Sequence, residues 1–94
     1  SEAHRWGLVN HIVPAAELMT RARELAETLA RGPPLVYAAI KEVARAAENM
    51  RFQDALSGIT GRTFPTVDRL YSSEDQIEGV RAFAEKRKPL WRGR

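Results

Sequence analysis

The segment Leu8–Val13 (LVNHIV) constrains this chain more than any other, because it is the one stretch that reads as a β-strand. It is apolar, rich in β-branched residues and bounded by Gly7 and Pro14. A lone strand leaves its ladder N–H and C=O groups unpaired, so it needs a sheet. The rest of the sequence offers no second strand. The sheet must come from another molecule or from residues upstream in a longer chain. The second reading is the stronger, because an isolated edge strand is also a template for aggregation. A first residue of Ser rather than Met fits the same expectation.

Everything after Pro14 reads as helix. A first helix is expected from about Ala15 to Arg31, with Leu18, Ala22, Leu25, Ala26 and Leu29 on one face. Opposite charges four apart (Glu17–Arg21, Arg23–Glu27, Glu27–Arg31) support it by roughly 0.2–0.5 kcal/mol a pair. Gly32 suits the position just past its end, and Pro33–Pro34 can open the next helix. That second helix spans about Leu35 to Asn49, with a stripe of Val36, Ile40, Val43, Ala47 and Met50. A third runs from Phe52. Phe52, Leu56, Ile59, Thr63, Val67 and Leu70 keep one phase through Pro65, which predicts a helix that bends at the proline and continues. A fourth starts at Ser73. Gln76 stands at the capping-box position, Glu74 and Asp75 lie at the positive end, and Ile77, Val80 and Ala84 form an inner stripe. It is expected to run into Lys86–Lys88 and to stop at Pro89, with Leu90 and Trp91 anchoring the last residues. The expected class is mainly α: one short N-terminal strand, then about four helices.

Ninety-four residues make one small domain at most. There is no cysteine, so neither a disulfide nor a thiolate metal site can support so small a core; the lack of Cys fits a reducing, cytoplasmic setting. No apolar run approaches the ~18 residues of a membrane span. The first ten residues contain no apolar region of the secretory-leader kind. The net charge is +3 and unevenly placed. Residues 1–50 balance, whereas residues 81–94 hold six cations and one acid, Glu85. That basic tail leaves two readings: a solvated helix end, or an anion site in which Lys86 meets a phosphate and Phe83 offers a ring face to a heterocycle. A small basic helical module that binds nucleic acid or a protein partner is the competing class.

Other chemistry is weakly supported. His4 and His11 have no Asp, Glu or Cys arranged to complete a metal site. No serine sits in a nucleophile-elbow context, and Gly58 and Gly61 lack the Lys and Ser/Thr of a phosphate loop. Glu74, Asp75 and Glu78 cluster at a helix start, where capping and dipole effects account for them.

The motifs in order resemble a known family. GLVNHIVP followed by Glu17–Leu18, then Ala39–Ile40–Lys41 after GPP, then SSEDQIEGVRAFAEKRKPLWRGR are similar to the C-terminal region of the enoyl-CoA hydratase/isomerase (crotonase) superfamily. The ending follows that family's pattern of Ser/Thr-x-Asp, Glu-Gly, Ala-Phe and Glu-Lys-Arg-x-Pro. Within the family, residues 71–75 and the Lys88–Arg94 ending are most similar to the carnitinyl-CoA dehydratases. The resemblance covers essentially the whole chain and implies a much longer parent with a core of ββα spiral turns. Residues 1–14 would be the end of that core, and residues 15–94 the helical part that covers CoA and joins subunits in trimers or hexamers. It implies an acyl-CoA substrate, with CoA the only cofactor-like group, and no nucleic-acid or membrane partner. The implied reaction is reversible addition or loss of water at an acyl-CoA, in the carnitine-linked members between carnitinyl-CoA and crotonobetainyl-CoA. The family's catalytic glutamates and oxyanion donors lie upstream of Leu8, so no catalytic role falls on Glu2, Glu17, Glu74 or Glu78. Phe83 and Lys86 match the positions that meet the adenine and phosphates of CoA. Arg87 either assists them or serves a surface ion pair.

Overall fold

The computed structural model describes residues 1–94, which form six α-helices and one 3-10 turn. In chain order these are α1 (Glu2–Arg5), the turn Ala15–Glu17, α2 (Leu18–Ala30), α3 (Pro34–Ala47), α4 (Phe52–Thr60), α5 (Pro65–Tyr71) and α6 (Glu74–Ala84). Two compact units result, Ser1–Arg31 and Gly32–Arg94. No helix is long and apolar enough to cross a membrane.

In the first unit the expected strand is not formed. Leu8–Val13 is irregular and exposed except for half-buried Val13. The cause is the one argued above: a strand exists only within a ladder, and no other segment supplies one. Instead Gly7, at φ +75°, closes α1, with the Leu8 N–H donated to the Ala3 carbonyl at 2.8 Å and the Gly7 N–H to that of His4 at 3.0 Å. His4 Nδ1 reaches the Val9 carbonyl at 3.0 Å. α2 is amphipathic as expected, yet none of its residues is buried. Its charges pair differently from the expectation. Glu27–Arg31 stands at 3.8 Å, but Arg21 takes Glu24 at 2.9 Å instead of Glu17, and Arg23 pairs with nothing.

The second unit has a small core of Leu35, Ala39, Ala55, Val67 and Ala82. Pro34 opens α3 at its first turn, where a missing N–H is harmless. Gly32 is not the left-handed residue that its position suggested; the Tyr37 ring occupies the space a Cβ would need. α3 packs chiefly on α5. Its buried residues are Leu35 and Ala39; Val36, Val43 and Ala47 of the predicted stripe are half-buried beside Glu42 and Ala46, so the inward face is centred one residue round from that stripe and Ile40 faces out. The offset has a polar cause. Glu42 must face α5, because its carboxylate accepts both the N–H of Thr66, at 2.9 Å, and the Thr66 hydroxyl, satisfying donors in the first turn of α5.

The expected kinked helix is two helices. α4 ends at Thr60 with Gly61 as its cap, and Arg62 turns left-handed at φ +54°. The Arg62 N–H then bonds the Ile59 carbonyl (3.1 Å) and the Thr63 N–H that of Gly58 (2.9 Å), the Schellman pattern of a helix stop. Phe64 is extended, as a residue before proline prefers, and Pro65 is the first residue of α5. The intervening residues 61–64 span about one helical turn in sequence, so the apolar phase carried across a real break. Gly58 is where the loop returns: a Cβ there would sit 2.6 Å from the Phe64 ring. Phe52 and Leu56, placed inside by the stripe, are exposed.

α6 begins as predicted. Ser73 is its N-cap and its hydroxyl accepts the Gln76 N–H at 3.1 Å. The reciprocal half of the capping box is absent, because the Ser73 N–H bonds the Leu70 carbonyl instead. The inner stripe is reversed. Ile77 and Val80 are 62% and 64% exposed and Ala84 is also exposed, while the buried residues are Asp75 and Ala82. The face turned inward is therefore a polar and small-residue face. What it receives is the chain's own C-terminal tail.

Candidate functional site

The sequence places Phe83 and Lys86 at the end of α6. The helix stops at Ala84, two residues before the predicted lysine cluster. Glu85 caps it and Lys86 adopts φ +53°. The Lys86 N–H bonds the Phe83 carbonyl at 3.2 Å and the Arg87 N–H bonds that of Ala82 at 3.0 Å. This is the same Schellman stop that closes α1 and α4, with lysine where glycine is usual. Phe83, on the last turn, is 88% exposed, the most exposed of the large apolar residues. Lys86 is exposed and makes no ion pair. The structure thus keeps an uncovered ring and an unpaired ammonium within three residues of each other.

Arg87 stands apart from them. Its Nη1 and Nη2 donate to Glu78 Oε1 and Oε2 at 2.7 and 2.9 Å, and its Nε donates to Glu85 Oε2 at 2.6 Å. Nη1 also reaches the Lys88 carbonyl at 3.2 Å. Of the two roles open to Arg87, the surface ion pair is the one formed. Hydrogen bonding by Arg87, then by the Leu90 N–H, lowers the Glu78 carboxyl from 4.5 to about 2. The hydrogen bonds to Glu78 and then to Glu85 push the Arg87 guanidinium upward.

The tail is held by carboxylates that dipole and capping arguments had accounted for otherwise. Asp75 is 3% exposed, and its two oxygens accept the N–H groups of Arg92 (2.8 Å) and Gly93 (2.9 Å). The Asp75 N–H in turn donates to the Arg94 carbonyl at 3.0 Å. Glu78 accepts the Leu90 N–H at 2.8 Å, and Glu74 pairs with Arg94 at 3.2 Å. Arg69 of α5 donates to the Gly93 carbonyl at 3.2 Å. Trp91 lies on Gly79, where a Cβ would stand 3.2 Å from its ring. Of the expected apolar anchors Trp91 serves as one, while Leu90 is exposed. No sequence spacing signals these contacts, since they join residues 9 to 24 apart. The one hint is the pair Gly79 and Trp91, a small residue and a large ring.

Two clefts flank the tail. One, of about 310 Å³, runs between α3, α6 and Trp91, and is lined by Pro33, Leu35, Val36, Val80 and Phe83 among others. The other, of about 440 Å³, carries Ile77, Arg81, Leu90 and Arg92 beside the engaged acids Glu74, Asp75 and Glu78. The phenyl ring of the candidate site therefore sits on the rim of an apolar crevice.

The family model described as Enoyl-CoA hydratase/isomerase matches residues 1–94. The chain belongs to the enoyl-CoA hydratase/isomerase family. The carnitinyl-CoA dehydratase of Escherichia coli K12 is 47% identical over 93 residues, a match that covers 99% of this chain and 36% of that protein. Among solved structures, an enoyl-CoA hydratase from Bacillus anthracis superposes with a TM-score of 0.83 at 29% identity, over 99% of this chain and 34% of its own. An enoyl-CoA hydratase/isomerase from Mycobacterium paratuberculosis gives 0.86 at 32% identity, over 99% and 35%. The chain spans about a third of the length of the family members it matches.

Proposed function

We propose that this chain is the CoA-covering C-terminal part of an acyl-CoA hydratase or dehydratase, with Phe83 against the adenine and Lys86 against the phosphates. The observation that carries the reading is the exposed phenyl ring and free ammonium at the end of α6, beside an apolar crevice. A ring face suits a purine, and a lysine acts on a phosphate dianion as a compact point charge. The chemistry belongs to residues outside this chain: backbone N–H donors for the thioester oxygen and glutamates that move protons. Residues 1–94 alone are expected to be inactive. Relatedness to a carnitinyl-CoA dehydratase supports interconversion of carnitinyl-CoA and crotonobetainyl-CoA, in the cytoplasm, by a homo-oligomer.

The charge distribution speaks against nucleic acid as the partner. Four acids of the same helix and its cap offset the six cations in number, so residues 74–94 hold a net charge of only +2. Arg87 and Arg94 are already in ion pairs. In the complete enzyme, Lys86→Ala is expected to raise KM for acyl-CoA with kcat nearly unchanged, the mark of lost uniform binding. An unchanged KM removes Lys86 from the site.

A further inference from the structure

We propose that Arg87 is a positioning residue for Lys86: by tying Glu78 to Glu85 it locks the left-handed turn from which one lysine is presented to the 3′-phosphate of CoA. The inference rests on the CoA reading above and adds to it the source of its phosphate specificity. Lys86 stands at φ +53°, a region that disfavours any residue with a Cβ by about 1–2 kcal/mol. Such a conformation persists only where its surroundings impose it. Here they do so from both sides. The residue before Lys86 is Glu85 and the residue after it is Arg87, and their side chains join at 2.6 Å. The same guanidinium grips both oxygens of Glu78, in the body of α6, and touches the Lys88 carbonyl. The Arg87 N–H closes the helix on the Ala82 carbonyl. Arg87 thus fixes the lysine's two neighbours to a rigid element, spends four of its five N–H groups on them and has its charge met by two carboxylates. Lys86 is the free cation, and Arg87 decides where it starts from. A planar fork grips both oxygens of Glu78 and turns a further N–H to Glu85 in fixed directions, which the compact ammonium of a lysine at position 87 does not reproduce.

The test is the ratio of dissociation constants for 3′-dephospho-CoA and CoA, by calorimetry, on the complete enzyme. The intact protein should prefer CoA, and Lys86→Ala should lower the preference by about tenfold, the scale of one charge-assisted contact. Arg87→Gln and Arg87→Lys should each lower it about threefold or more while leaving the affinity for dephospho-CoA unchanged. A merely structural arginine would weaken both ligands alike. Glu85→Gln removes one attachment only and should shift the ratio in the same direction by less; it decides the matter if the Arg87 variants fail to fold. If Lys86→Ala lowers the preference and the Arg87 and Glu85 variants keep it, the positioning role is overturned and the CoA site stands. If Arg87→Lys alone keeps the preference, charge suffices and the positioning role is likewise overturned. If Lys86→Ala leaves the preference intact, the CoA reading falls, and the positioning role with it.

Discussion

Two residues other than glycine, Arg62 and Lys86, end helices in the left-handed region, and they differ in what holds them there. Arg62 has a return: its guanidinium lies 4.6 Å above the centre of the Tyr71 ring, a contact of roughly 0.5–1 kcal/mol at an exposed site. Lys86 has no side-chain contact of that kind. Replacing each by glycine should therefore separate them. Lys86→Gly is expected to stabilise the fold by about 1 kcal/mol, whereas Arg62→Gly should come out near zero. Urea denaturation followed by circular dichroism measures both. Gly58 gives the opposite case. A methyl group there meets the Phe64 ring, so Gly58→Ala should destabilise by about 1–3 kcal/mol despite its better helix propensity. Propensity alone, which ranks Gly58 as a weak point of its helix, reads this residue backwards.

At the scale of elements, what the sequence makes legible is local. The cap at Ser73, the proline starts and the approximate extents of α2, α3 and α6 all follow from residues within one turn of each other. What it conceals depends on distant groups. The stripe on α3 is offset because Glu42 reaches Thr66, 24 residues away, and the α6 stripe is inverted because the tail occupies its other face. The bend predicted at Pro65 fails because a four-residue break preserves helical phase. Of the candidate site, Phe83 and Lys86 could be named from the sequence, but the sequestering of Arg87 could not, since its partner Glu78 is nine residues distant. Glu42→Ala should cost about 1 kcal/mol by leaving first-turn donors of α5 unmet, with the loss of hydrogen-exchange protection concentrated at Thr66. Glu78 adds a pH dependence of definite sign. Its carboxyl titrates at about 2 in the folded chain against 4.5 in the unfolded one. It therefore stabilises fully above about pH 4.5, and that contribution fades as the pH falls towards 2. An acid titration watched at the Leu90 amide should show its protection lost across this interval, and Glu78→Gln should abolish the dependence.

For the whole molecule, the notable quantity is what stays uncovered. Ile40, Phe52, Leu56, Ile77, Val80 and Phe83 are all exposed in the second unit, while no residue at all is buried in the first. A chain of this size is marginal even with its apolar residues inside. Residues 1–31 on their own are expected to be largely unfolded, because a helix of 13 residues with no packed face is unstable in water. Proteolysis of the 94-residue chain should accordingly cut first between residues 8 and 31, and protection of that interval in the complete enzyme would show that the rest of the protein covers it.

The way Asp75 holds the tail also sets what the tail can become. The carboxylate grips the amides of positions 92 and 93, and Glu78 grips that of position 90, so none of these bonds depends on the side chains there. Positions 90 and 92 can drift in sequence freely so long as they avoid proline. Position 93 carries one further restriction, since φ +73° favours glycine. In a saturation library the lethal changes should fall at Asp75 and Glu78 and the tolerated ones at positions 90 and 92, a pattern of asymmetric substitution in which a contact's two ends evolve at different speeds.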